Sequence, residues 1–176
     1  MQEGLRAIRE EMSIPNKPAK LLHVGAEGEA RMVDVSAKPV TAREAVASGE
    51  VHMKVEVLDA LFAGALPKGD ALATARIAGI QAAKRTGEWI PLCHPLALDW
   101  VQVDFERNAA DTLAIRCTAR TTARTGVEME AMTGVSLAAL TVYDMVKAAD
   151  KAVVIGPVML ERKTGGKSGE YLRAGS

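Results

Sequence analysis

Two alternating segments, Trp100–Glu106 and Thr112–Arg120, constrain the fold more than anything else in the chain. In the first, Val101, Val103 and Phe105 share a face opposite Gln102, Asp104 and Glu106. In the second, Leu113, Ile115, Cys117 and Ala119 oppose Thr112, Arg116, Thr118 and Arg120. Period-two alternation of this kind describes strands with one covered face and one polar face. Arg107–Asp111 between them has the length of a hairpin connection. Such a pair needs an apolar cover on one side only.

The flanking segments supply that cover. Asp70 can cap a helix running to about Thr86, rich in alanine and stopped by Gly87. Glu128–Ala149 reads as a second long helix. Its apolar arc holds Met132, Val135, Ala138, Ala139, Val142, Met145, Val146 and Ala149. Glu130, Thr133, Ser136, Thr141, Asp144 and Lys147 lie on the other side. Thr41-Ala42-Arg43-Glu44 matches a capping box and predicts a short helix to about Ser48. Val51–Val57 reads as a strand, Leu58–Ala63 as a short helix, and Ala152–Lys163 as a last strand, irregular at Gly156-Pro157. Ile90–Pro95 holds two prolines and cannot be helical. The main order is β-α-β-β-α-β. It predicts an α+β, ferredoxin-like split βαβ fold, with an antiparallel sheet and both helices on one face.

Aromatic residues make up only 3% of the 176-residue chain, so Ala, Val, Leu and Met must fill the core and the helices must lie close. Trp100 interrupts the polar face of the sheet, and Leu137 and Leu140 that of the late helix. These apolar interruptions predict self-association. One domain is expected over residues 26–172. Residues 1–25, with a short amphipathic stretch at Leu5–Met12, form a peripheral extension, and 173–176 a flexible end.

The 22 basic and 22 acidic residues cancel. A general nucleic-acid or membrane surface needs a sustained basic excess, so neither partner is expected. Cys93 and Cys117 lack the spacing of a zinc or redox motif and read as reduced thiols. No signal peptide or membrane-length apolar run is evident, which predicts a cytoplasmic location.

Four places can carry chemistry. His94 sits in a proline-bounded turn, and imidazole titrates near neutral pH; alone, it fits a histidine bonding a backbone carbonyl as well. Asp144 and Lys147 share a helix face at i, i+3 spacing. Alone they describe a surface ion pair worth about 0–1 kcal/mol; in a site, they are a proton-transfer pair. Lys68 precedes Asp70 at a helix N-terminus, where positive charge favours anions. Lys163 and Gly165-Gly166-Lys167-Ser168-Gly169 form a flexible basic tail able to fold over a phosphate. It is not a Walker A loop, because Glu161 stands where the first glycine is required.

Together these segments resemble the cyclic pyranopterin monophosphate synthase family of molybdenum cofactor biosynthesis. The resemblance rests on Lys68-Gly69-Asp70, Ala73–Lys84, Ile90–Pro95, Thr125–Ala131 and Leu140–Met145, with Met32–Ser36 and Gly165–Gly169 at its two ends. It implies conversion of 3′,8-cyclo-7,8-dihydroguanosine 5′-triphosphate to cyclic pyranopterin monophosphate, with release of pyrophosphate. It also implies a homohexamer, a trimer of dimers with sites shared between dimer-related subunits. No metal site or cofactor follows from it, and magnesium accompanying the triphosphate is left open. Asp144, Lys68 and Lys147 match the family's catalytic positions. Leu92, Cys93, His94, Met129 and Glu130 match its substrate contacts, and Glu128, Lys163, Lys38 and Arg43 further pocket positions. If Lys68 and Asp144 of one site come from different chains, inactive Lys68→Ala and Asp144→Asn subunits should complement on mixing. Two rivals stand beside this reading. One is a ferredoxin-like module that binds nucleotide without releasing pyrophosphate. The other is a metal-dependent enzyme using His94 and carboxylates.

Overall fold

The computed structural model describes residues 28–167 and 169–174. Among the described residues, every helix and every strand of the sheet belongs to the unit Asp34–Ser176. The amphipathic stretch expected at Leu5–Met12 lies outside the described residues, as does Ser168.

In chain order the elements are β1 (Thr41–His52), α1 (Val55–Phe62), α2 (Ala71–Lys84), α3 (Thr86–Trp89), β2 (Trp100–Ala109), β3 (Thr112–Ala123), α4 (Glu128–Val146), β4 (Val154–Thr164) and β5 (Tyr171–Leu172). The strands form one antiparallel sheet in the order β2-β3-β1-β4-β5. The first four strands with α2 and α4 make the split βαβ arrangement that the alternation predicts, with the helices on one face. The β2–β3 hairpin is tighter than expected. Its strands pair as far as Ala109 and Thr112, leaving only Ala110-Asp111 as the turn.

β1 corrects the capping-box expectation. Thr41–Ser48 is strand, paired with β3 from Thr41↔Ala123 to His52↔Thr112 and with β4 on its other edge. A local helix signal yields here to two flanking ladders and to burial of Ala45, Ala47 and Val51 on one face. The strand then ends at His52, so Val55–Val57 open α1 instead of continuing β1.

Close packing replaces bulk in the core. A Cβ on Gly79 of α2 would stand 2.8 Å from the Gly134 carbonyl oxygen of α4. A Cβ on Gly134 would stand 2.6 Å from Cys117 Sγ of β3. Two glycines thus let α2, α4 and the sheet approach to backbone contact. Gly79→Ala should therefore destabilise by about 1–3 kcal/mol, the overpacking cost exceeding alanine's helix preference; denaturant titration measures it.

Asp70 caps α2 as expected, accepting from Ala73 N at 2.9 Å. Gly87 does not stop the helix but lies inside the one-turn α3 that follows. A Cβ there would meet Pro95 Cα at 3.0 Å, so glycine lets the proline-bounded turn pass. Most of the predicted apolar arc of α4 is buried, but so are Glu130 and Thr133, which the helical projection puts on the polar side. Ala149 lies past the helix end and is exposed. Tyr171 and Leu172 add β5 to the edge of β4.

The other face of the sheet is polar. Glu44 of β1 pairs with Arg120 of β3 at 2.5 Å and with Arg162 of β4. Arg120 lies over the Trp100 ring, 4.5 Å from its centroid. A groove of about 960 Å³ runs across this face, lined in part by Ser48, Glu50, Asp104, Arg116, Glu161 and Arg162.

Candidate active site

Three groups separated in sequence meet at the C-terminal end of α4. Asp144 Oδ2 accepts from Lys68 Nζ at 2.9 Å, and Asp144 Oδ1 pairs with Lys147 Nζ at 2.7 Å. Lys68 Nζ also donates to the Asp144 carbonyl oxygen at 2.8 Å. Asp144 and Lys147 are brought together by one helical turn. Lys68 arrives from the loop between α1 and α2, which is anchored by buried Leu66 and by the Asp70 cap. Hydrogen bonds from Lys147 and then Lys68, with their charges, hold the Asp144 carboxyl down at about 2. The same carboxylate pushes the Lys147 ammonium up. Lowering the folded-state value means this pairing supports the fold above the ordinary carboxylate range, and the support fades as pH falls toward 2. All three side chains are open to solvent, with 42%, 54% and 51% of Lys68, Asp144 and Lys147 exposed. A cluster with two cations around one carboxylate carries net positive charge and can receive an anion.

A second group gathers at the other end of α4. Lys163 Nζ of β4 pairs with Glu128 Oε1 at 2.7 Å. Arg43 of β1 lies against the Gly165-Gly166 turn, where both glycines have positive φ (91° and 78°) and a Cβ on Gly166 would collide with the guanidinium. Arg43 Nη2 reaches the Arg124 carbonyl at 3.4 Å, while its buried Nε has no hydrogen-bond acceptor. Arg124 Nε donates to the Lys38 carbonyl at 3.2 Å. Arg43, Arg124 and Lys163 thus form a basic rim balanced by Glu128, with the Lys38 backbone bound at its edge. Sequence reasoning missed Arg124, although it directly precedes the Thr125–Ala131 block.

The proline-bounded turn completes this end. Leu92, Cys93 and His94 are half-buried, and Met129 is 37% exposed. Burial pushes the Cys93 thiol up, and the Glu130 charge adds to the effect. A thiol raised in this way is a poor nucleophile, so Cys93 fits a contact residue better than a reactive one. Cys117 is pushed up to about 12 by burial in the core. Asp34 is held down by its bonds to Ser36, with His94 close enough to contribute. Asp34 belongs to the Met32–Ser36 block, and no local spacing marks it as a site residue.

Glu130 is the group that departs most from its expected setting. Only 3% of it is exposed, and burial pushes its carboxyl up to about 7, opposed by its own backbone bond and reinforced by Glu128. A raised folded-state value means its stabilising contribution is full below the ordinary glutamate range and is lost as pH rises through about 7. Glu130→Gln should therefore remove a loss of up to about 3 kcal/mol between pH 5 and pH 8. Thermal melts of both proteins at the two pH values measure the difference.

The two groups do not meet within one chain. Glu130 and Asp144 are fourteen residues apart on α4, roughly 21 Å along its axis. Among the described residues, no group of three or more His, Cys, Asp or Glu side chains could hold a metal ion. No helix among them is long and apolar enough to cross a membrane.

Fold and site define an α+β protein of ferredoxin-like architecture, with charged clusters at both ends of its central helix. The chain belongs to the MoaC family, whose model matches residues 32–166. It is 62% identical over 153 residues to the cyclic pyranopterin monophosphate synthase of Roseiflexus castenholzii, which covers 86% of this chain and 97% of that one. It is 59% identical over 153 residues to cyclic pyranopterin monophosphate synthase 3 of Mycobacterium tuberculosis, covering 87% and 86%. The Streptomyces coelicolor cyclic pyranopterin monophosphate synthase is 59% identical over 155 residues, covering 88% and 91%.

Proposed function

We propose that the chain is a cytoplasmic lyase of molybdenum cofactor biosynthesis. It converts 3′,8-cyclo-7,8-dihydroguanosine 5′-triphosphate to cyclic pyranopterin monophosphate and releases pyrophosphate. The observation that carries this reading is the Lys68–Asp144–Lys147 cluster, set in a chain about 60% identical to synthases of that name.

The reaction needs two kinds of help. Rearranging the guanine ring into a pterin requires repeated proton transfers, hence paired acids and bases. Closing the cyclic phosphate requires a sugar hydroxyl to attack the α-phosphorus as pyrophosphate leaves. Cations stabilise the charge that builds on the phosphoryl and leaving oxygens. Lys68 and Lys147 serve that purpose. As phosphate oxygens draw the two ammonium groups away, Asp144 loses the bonds that hold its carboxyl low and becomes a stronger base. Glu130, with a carboxyl near 7, can donate and recover a proton at working pH. Leu92, Cys93, His94 and Met129 contact the base, and Lys38, Arg43 and Lys163 draw in the phosphates.

The separation along α4 supports a site shared between two subunits. The Asp144 cluster of one chain works with the Glu130–Lys163 end of its partner, in a homohexamer built as a trimer of dimers. Exposed Leu140 and half-buried Leu137 lie on the same helix as Asp144 and would be covered by a partner. No cofactor enters this scheme; magnesium bound to the triphosphate is compatible with it.

Incubation with the cyclised nucleotide tests the proposal. Pterin product and stoichiometric pyrophosphate are expected. Binding without pyrophosphate release would favour a non-catalytic module, and activity abolished by chelation with a stoichiometric protein-bound metal would favour the metal enzyme.

A further inference from the structure

Asp150 takes no part in the chemistry described above, yet it is a buried carboxylate, 4% exposed, three residues beyond Lys147. Its backbone is fixed to the end of α4, where the Asp150 and Ala149 amides donate to the Val146 carbonyl at 3.0 and 2.8 Å. Its side chain reaches elsewhere. Oδ2 accepts from Lys54 N at 3.0 Å, and Oδ1 from Ala152 N at 2.9 Å. Lys54 is the N-cap residue of α1 and makes no side-chain cap of its own. Asp150 therefore supplies a cap from ninety-six positions away, with its charge at the positive end of the α1 dipole.

The consequence lies at the far end of α1. That helix is seated by Val57, Leu58 and Leu61, and by the Arg107–Asp59 ion pair at 2.6 Å. It leads through Ala65, whose amide donates to the Ala60 carbonyl at 2.9 Å, to buried Leu66 and then Lys68. Lys147 at the end of α4 and Lys68 beyond α1 thus reach Asp144 from the two elements that Asp150 joins, a strut α4–Asp150–α1. We propose that Asp150 is a positioning residue for the cluster: by tying the end of α4 to the start of α1, it fixes Lys147 and the Lys68 loop against Asp144. The two backbone donors also hold the Asp150 carboxyl below its usual range, so it keeps its charge across the working pH range.

The proposal rests on the catalytic reading of the cluster for its effect on turnover, but not for its effect on Asp144 itself. The full chain with carbon-13-labelled aspartate would be followed by NMR between pH 3 and 5. In the wild type the Asp144 carboxyl signal should be nearly flat, since it titrates at about 2. In Asp150→Asn it should bend with a midpoint moving toward the ordinary 3.8. Lys54→Pro is the second variant. Lys54 has φ −58°, which proline matches, so this change removes the donated N–H while leaving Asp150 in place. The same bend is expected there. A tenfold or so fall in kcat with little change in KM should accompany the bend in both strut variants. A flat Asp144 signal in folded Asp150→Asn and Lys54→Pro would overturn the proposal and leave Asp150 as a helix cap. If the signal bends but no variant or wild type makes pterin, the strut stands and the proposed function fails.

Discussion

Asp144→Asn should lower turnover by on the order of 10²–10⁴-fold in a correctly folded protein. The substitution keeps the shape and one acceptor oxygen but removes the charge that Lys68 and Lys147 share. Two consequences separate. Without the carboxylate, proton transfer at this position stops, which lowers kcat. Without its pull, the two ammonium groups are no longer drawn inward at 2.9 and 2.7 Å and become freer to bind phosphate oxygens. KM should therefore stay level or fall while kcat collapses, as expected for an interaction needed mainly in the transition state. The exposure of the cluster rules out a large stability effect, so melting temperature at neutral pH should barely move. Steady-state kinetics with pyrophosphate detection measures the effect. Turnover within a few-fold of wild type would remove Asp144 from the acid–base chemistry.

The physics behind this expectation was only partly legible in the chain. Asp144 and Lys147 at i, i+3 describe an ordinary surface pair, and surface pairs are weak. What changes their meaning is Lys68, seventy-six positions away, and no local spacing announces that contact. Asp70 as a cap and the alternation of β2 and β3 were readable because their causes are local. β1 was not, since Thr41–Ser48 becomes strand through its neighbours β3 and β4. The start of α1 was hidden for the same reason, its cap being Asp150. Glu130 was assigned to a polar arc because a helical projection treats the helix as alone. Its burial under the surrounding chain turns a surface glutamate into a carboxyl near 7. The family resemblance carried what spacing could not, by fixing which distant segments belong to one site.

Mixing Asp144→Asn subunits with Lys163→Ala subunits should restore activity that neither has alone. Lys68 and Asp144 pair inside one chain at 2.9 Å. With those two paired inside one chain, Lys68→Ala mixed with Asp144→Asn is expected to stay inactive. Lys163 instead belongs to the other end of α4, with Glu128, Arg43 and the Gly165-Gly166 turn. If each site joins that end of one chain to the Asp144 cluster of its dimer partner, a mixed dimer holds one doubly defective site and one intact site. Random exchange in equal amounts then makes about a quarter of all sites intact, which sets the expected recovery. The comparison of the two mixtures is more informative than either alone. Recovery only with Lys163→Ala fits a site divided at the level of helix ends. Recovery with Lys68→Ala would mean that the intrachain cluster is not the working unit. With subunit exchange verified by mass, silence in both mixtures would return all the catalytic groups to a single chain. The roughly 21 Å between Glu130 and Asp144, fixed by the helix that carries both, would then exclude them from one reacting centre unless α4 broke between them.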